Sequence, residues 1–252
     1  MIQLWKMNLI LDLYVFNPLI QLKTCTKSCF LFLSLCKNLT LSVKILVSFL
    51  QDETEYPTTE SSAPFLFLTM DIPASPLFKD QLEQNAIPQV PMLSLLQKFN
   101  GTQEKEYKTY HDTTLKRFSL VKLPNYLILF VKRFNNNTFF VEKNPTIVNF
   151  PVKGLDMADF LTPEAREEHT DTVYNLVANI THEGEAGQGK GTYSLHVLHK
   201  GSKQWFDLQD LHVKEILPPM ITLSESYIQI WELQKNLRPP GLGENNMETG
   251  GE

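Results

Sequence analysis

Tyr193, Leu195 and Val197 alternate with Thr192, Ser194 and His196, and further on Ile228 and Ile230 alternate with Tyr227, Gln229 and Trp231. A period of two turns successive side chains to opposite faces, which a strand half covered by a core requires and a helix does not use. With Tyr174–Ile180 and Phe139–Val141, these segments predict an α+β fold with a mainly antiparallel sheet and few helices. Tyr126–Phe134 is apolar on both alternate sets of positions until Lys132, so a central strand covered on both faces is expected there. One helix is predicted, opened by Pro91, with Met92, Leu95, Leu96 and Phe99 turned into the core and Asn100-Gly101 as the stop.

The run GEAGQGKGT, Gly184–Thr192, has the spacing of a phosphate-binding loop. That chemistry needs a helix directly afterwards, so that its first amides point at the anion. YSLHVLHK follows instead, with period two, and no strand ends in an Asp suited to magnesium. The run is therefore a loop between two antiparallel strands, and no cofactor is expected. Cys25, Cys29 and Cys36 all lie near the start. The spacing in TCTKSC departs from that of zinc knuckles and no second ligand pair stands near it, so no metal is expected. Their odd number excludes an even disulfide framework and suits a reduced compartment.

Four regions follow from composition: an atypical apolar leader, 1–50; a polar linker, 51–63; a core, 64–233; and a Pro- and Gly-containing tail, 234–252, expected to be disordered. The leader has no glycine and carries a net charge of about +4 against about −9 for the rest, within a total of −5. Lys37 and Lys44 interrupt its best membrane window, and Asp12 breaks the run a signal peptide would need, so a membrane partner is not expected. Three readings of the leader stay open: a replaced or mispredicted first exon, a targeting role, or a packed helix. The mild acidity argues against direct nucleic-acid binding, which needs clustered Lys and Arg. The pairs Lys116-Arg117 and Lys132-Arg133 are read as solvated strand ends.

The block YNLVANITHEGEAGQGKGTYSLHVLHKGSKQWFDLQDLHV, Tyr174–Val213, resembles the histidine block of ubiquitin-specific proteases. In that family a strand ending in His-x-Gly leads through a glycine loop to Gly-His-Tyr and then to Trp-x-x-Phe-Asp-Asp. Here Thr192 stands at the histidine position and Gln209 at that of the orienting Asp or Asn, with Asp210 as the second acid. His182, His196 and His199 lie away from the base position in this register and are read as ordinary strand residues. Residues 88–134 resemble a second family block through Leu123-Pro124-Asn125-Tyr126-Leu127 and Lys132-Arg133-Phe134, although Glu106–His111 lacks the usual Cys-x-x-Cys.

IPQVP, KFNG, EKEYKTY, FFVEKNPTIVNFPV and ILPPMITLSESYIQIW are similar to the ubiquitin-specific-protease-like family of the spliceosomal tri-snRNP, the tri-snRNP-associated protein 2 family. This resemblance implies the palm and fingers half of a papain-like protease domain, without its thumb. It also implies a nuclear, non-catalytic scaffold of pre-mRNA splicing whose partners are tri-snRNP proteins, with weak ubiquitin binding or an active cysteine-type deubiquitinase as alternatives. A threonine hydroxyl cannot act as a base near neutral pH, so no catalytic residue is assigned. Tyr193, Trp205 and Asp210 are the candidate partner surface, with core packing the competing role for the two aromatic residues.

Overall fold

β-Branched and aromatic residues set the architecture, because their side chains fit a pleated, half-buried surface. In chain order, β1 (Leu41–Gln51), β2 (Thr54–Glu55), β3 (Thr59–Phe65) and β4 (Leu68–Asp71) come first. Next, β5 (Gln89–Pro91) runs into α1 (Met92–Leu96), which tightens into a final turn at Gln97–Phe99. The middle of the chain gives β6 (Lys105–Lys108), β7 (Thr113–Lys122), β8 (Tyr126–Lys132), β9 (Phe134–Asn136), β10 (Val141–Lys143), β11 (Ile147–Asn149) and β12 (Leu155–Asp156). After α2 (Pro163–Glu168) come β13 (Val173–Gly184), β14 (Gly191–His199), β15 (Gln204–Gln209) and β16 (His212–Ile216). α3 (Pro218–Thr222) and β17 (Ser226–Leu233) complete the set. This computed structural model describes residues 41–51, 54–55, 59–74, 87–108, 113–136, 141–186 and 190–235.

Among the described residues, the largest sheet has eight strands in the order β16-β15-β14-β13-β17-β8-β4, with β12 also on β13. All its pairings are antiparallel except β4 on β8. A second sheet, of five strands, runs β2-β1-β7-β6 with β3 also on β1. The mainly antiparallel α+β architecture thus stands as expected. The core lies on one face of the large sheet, where Leu127, Leu129, Leu176, Trp205 and Trp231 meet Met92, Leu96, Phe150 and Met157. Tyr174 is buried with them and donates its hydroxyl to the carbonyl of Pro124 at 2.6 Å. Burial pushes this phenol's pKa well above its usual value.

α1 buries Met92, Leu95 and Leu96, and the turn after it buries Phe99, as expected. Gly101 takes a φ of +76° to end the segment, with its N–H on the carbonyl of Phe118 at 2.9 Å. β8 is central, between β17 and β4, but it is fully covered on one face only. Tyr126, Ile128 and Phe130 remain partly open, and Phe130 packs edge-on against Tyr227 and Phe67 instead of under a second layer.

The leader and linker boundaries also shift. β1 starts inside the expected leader and runs through its end, and the expected linker carries β2 and β3. Val43 explains this: it is buried and faces Leu120 on β7, so burial of one face holds the strand in place. A polar segment such as Thr59–Phe65 satisfies its main chain in a ladder as well as in water, and it pairs with β1 from Leu41 to Val47. The expectations for residues 1–40 and 236–252, and for Phe139, lie outside the described residues.

Candidate functional site

The sheet strands that carry the predicted positions change character along their length. On the core-turned face, β15 presents Trp205, then Asp207 and Gln209; β14 presents Leu198, then His196, Ser194 and Thr192. Two register shifts bring β13 and β17 into line. Leu176 faces Trp231 and Ala178 faces Ile230, so one residue of β13 is extra and Asn179, opposite Gln229, turns toward the core. A second shift, after Ile180, sets Thr181 opposite Ser226. The result is a polar row, Asp207, His196, Asn179 and Gln229, across four neighbouring strands.

Most of this row is buried yet incompletely bonded. Asn179 donates through Nδ2 to Ser224 Oγ at 3.0 Å and stands 3.3 Å from His196 Nδ1. His196 Nε2 lies 3.8 Å from Asp207 Oδ1, and Lys214 reaches the other oxygen of that carboxylate at 3.6 Å. Asn179 Oδ1, Asp207 Oδ1 and Gln229 Nε2 are buried without a hydrogen-bond partner. Burial lowers the pKa of His196, with the charges of Asp207 and Glu183 pulling the other way. Both its ring nitrogens face neighbours within the sheet, so this neutral imidazole is not aimed at a substrate.

The positions singled out by the resemblance, Thr192 and Gln209, both lie just beyond the paired stretch of β14 and β15, which runs from Leu195 with Leu208 to His199 with Gln204. Thr192 and Gln209 occupy the same face of β14 and β15, set by the pairs Leu195 with Leu208 and His196 with Asp207. Neither a hydroxyl nor a carboxamide takes a proton near neutral pH. Asp210 is the first residue of the two-residue turn from β15 to β16, at φ +51°, a conformation Asp tolerates better than most residues. The expected partner surface divides. Trp205 is 5 % exposed and belongs to the core, whereas Tyr193, for which core was the competing role, is 49 % exposed on the other face.

His182 is less ordinary than its sequence position suggested. Its ring is buried between Phe134 and Tyr193, at centroid distances of 5.0 and 4.8 Å, and its Nδ1 has no partner. It lies over Gly191: a Cβ on that glycine would fall 2.2 Å from His182 Nε2 and 2.9 Å from the carbonyl of Glu183. Desolvation lowers its pKa, and the nearby Lys143 ammonium lowers it further. Lys143 itself donates to the carbonyls of His182 and Gly184, at 2.7 and 2.9 Å, and to Glu225. The loop that follows Gly184 joins antiparallel β13 and β14, so no helix opens after Lys190 to complete a phosphate site.

Arg133, expected at a solvated strand end, is fully buried. Its guanidinium donates to the carbonyls of Ser226, Thr146 and Asn144 at 2.5, 2.6 and 3.1 Å, tying β17 and the 144–146 segment to the end of β8. Burial brings its pKa down to about 10, and the charge of Glu225 offsets part of that. No sequence signal separates it from Lys132, which is exposed. Among the described residues no three His, Cys, Asp or Glu side chains are grouped to hold a metal.

Comparison with known proteins follows this geometry. The family described as ubiquitin carboxyl-terminal hydrolase matches residues 12–231. The chain is 54 % identical over 182 residues to the Homo sapiens protein named ubiquitin carboxyl-terminal hydrolase 39, covering 72 % of this chain and 32 % of that one. It is 40 % identical over 173 residues to the Schizosaccharomyces pombe protein named probable mRNA-splicing protein ubp10, covering 67 % of this chain and 34 % of that one. The chain thus spans about a third of the length of these relatives. Among solved structures, one described as an essential yeast splicing factor superposes with a TM-score of 0.60 at 23 % identity, over 89 % of this chain and 52 % of that one. The SAGA Ubp8/Sgf11/Sus1/Sgf73 DUB module bound to ubiquitin aldehyde gives 0.57 at 19 % identity, over 79 % and 42 %. Both structural likenesses are likenesses of fold.

Proposed function

This chain belongs to the ubiquitin carboxyl-terminal hydrolase family, and from that membership we propose that it is a non-catalytic, deubiquitinase-like scaffold, acting in the nucleus in pre-mRNA splicing through protein contacts in the tri-snRNP. The observation that carries the reading is the pair Thr192 and Gln209, on one face of adjacent strands, where the family's base and its orienting group are expected. Cysteine-protease chemistry needs an imidazole beside the thiol and a group that fixes the ring's tautomer, and these two side chains supply neither. The likeness to a probable mRNA-splicing protein supports the splicing half of the proposal.

Purification of the tagged chain from nuclear extract should recover tri-snRNP proteins. A ubiquitin–fluorophore substrate should not be turned over by the chain or by its Thr192→His variant. Recovery of no spliceosomal protein sinks the scaffold half; turnover that disappears on mutating one cysteine sinks the non-catalytic half. A ubiquitin-binding module is the second reading, supported by the likeness to a structure bound to ubiquitin aldehyde. Labelled ubiquitin separates the two, because chemical-shift changes on adding the chain favour the module and their absence favours the pure scaffold.

A further inference from the structure

β16 ends the order of the large sheet, and no described strand pairs with its far side. An antiparallel strand turns every second N–H and C=O away from its neighbour, so this side offers main-chain donors and acceptors. His212, Val213, Lys214 and Glu215 are all exposed. The stretch from Leu211 to Leu223, which contains β16, holds Leu211, Val213, Leu217, Met220 and Leu223, five of the twelve large apolar side chains exposed among the described residues. Leu211 is 96 % exposed. Of these, Leu211, Val213 and Leu217 lie in β16 or directly beside it, and apolar exposure along an open edge marks an interaction surface.

We propose that the open edge of β16 docks an extended segment of a partner protein, which adds as a further strand with an acidic residue opposite Lys214 and apolar residues toward Leu211 and Leu217. The inference rests on the scaffold reading and names the surface through which one contact is made. The free main chain selects an extended occupant over a helix. Lys214 selects a different chain over a second copy of this one. Two copies pairing about a two-fold axis normal to the sheet, using all five residues, would set Lys214 opposite Lys214. A register shifted by one residue toward the end of the strand sets Glu215 opposite Glu215, and like charges directly opposite are destabilising. A mid-edge lysine therefore resists self-pairing and favours an acidic guest. Its ammonium pairs loosely with the Asp207 carboxylate at 3.6 Å but is 68 % exposed, which leaves donors for a guest.

The test places a photo-reactive residue at Val213 in the full chain, assembled with its nuclear partners, and sequences the crosslinked peptide. Crosslinks are expected in an acid-bearing segment of another protein. A synthetic peptide of that segment should slow amide exchange at residues 212–216 about tenfold, and a proline at its centre should abolish the effect. Lys214→Glu should weaken binding about tenfold, with partial rescue by a peptide whose acid is replaced by lysine. Crosslinks to a second copy, to residues 1–40 or 236–252 of the same chain, or to a segment that binds equally well with proline overturn the inference. If no spliceosomal protein is recovered, the splicing reading fails by itself. The edge is then probed with a peptide of about ten residues alternating valine and threonine around one glutamate: protection of 212–216 that needs Lys214 keeps the inference, and no protection ends it.

Discussion

At one end of the core-turned face of the large sheet, Trp205, Trp231, Tyr174 and Leu176 are packed against apolar neighbours. A few residues along the same three strands, and on β14 between two of them, Asp207, Gln229, Asn179 and His196 face the same way and are joined by few hydrogen bonds. Burial is similar at both ends, so depth does not distinguish them. The apolar end is held by area removed from water, whereas the polar end carries unpaired groups that cost stability. A region that costs stability and is not needed for the core is where a fold keeps, or once kept, a function.

Truncation at the apolar end should be the most damaging change. Trp231→Ala removes a fully buried indole that stacks edge-on with Phe150 and bonds Gln229 Oε1 at 3.2 Å, and should cost about 3–5 kcal/mol in denaturant unfolding. Arg133→Ala strips three buried carbonyls of their donor and should cost about 3 kcal/mol. Arg133→Lys should recover little of that, because a point charge cannot replace the planar fork.

The contrast itself is tested by Asn179→Leu, which removes an unpaired oxygen along with the bond to Ser224. Its effect should stay within about 1 kcal/mol; a loss above about 3 kcal/mol would put both ends in one class. The smallest effect concerns pH. Burial lowers the pKa of both His182 and His196, so the unfolded chain binds more protons as pH falls through the ordinary histidine range near about 6.5. Stability is complete above that range and declines below it, so Tm should fall between about pH 7 and about pH 5, and less steeply in His196→Gln. The carboxylates of Asp71 and Glu232, with pKa values lowered by their lysine partners despite burial, titrate below this window.

The apolar end was legible in the sequence where strict alternation carries large apolar residues inward, as Leu127, Leu129 and Val131 in β8 show. In β14, by contrast, the apolar set Tyr193, Leu195 and Val197 faces away from the core and Ser194 and His196 are buried. The polar row was not. Plain alternation from Tyr174 carries Ala178 and Ile180 inward, and only the extra residue after Leu176 turns Asn179 and Thr181 to the core instead. A bulge leaves no trace in residue type when neither Gly nor Pro marks it. Arg133 escaped for a related reason: the residue after a strand's last paired position can turn either way, and only the carbonyls waiting in β17 and the 144–146 segment decide which. Thr192 and Gln209 were found through family register, which depends on the order of motifs along the chain and not on local conformation.

The imidazole of His182 fills the space where any larger residue at 191 would begin, and the Glu183 carbonyl closes the same space from the backbone side. Inheritance at these positions is therefore coupled: a lineage can drift at 191 only after changing both the ring and the course of the chain beside it. The glycine at 191 is then held by steric necessity whatever residue follows it at 192. Pattern searches that score such a glycine measure descent, and descendants of a hydrolase will go on matching it whether or not any bond is ever cut.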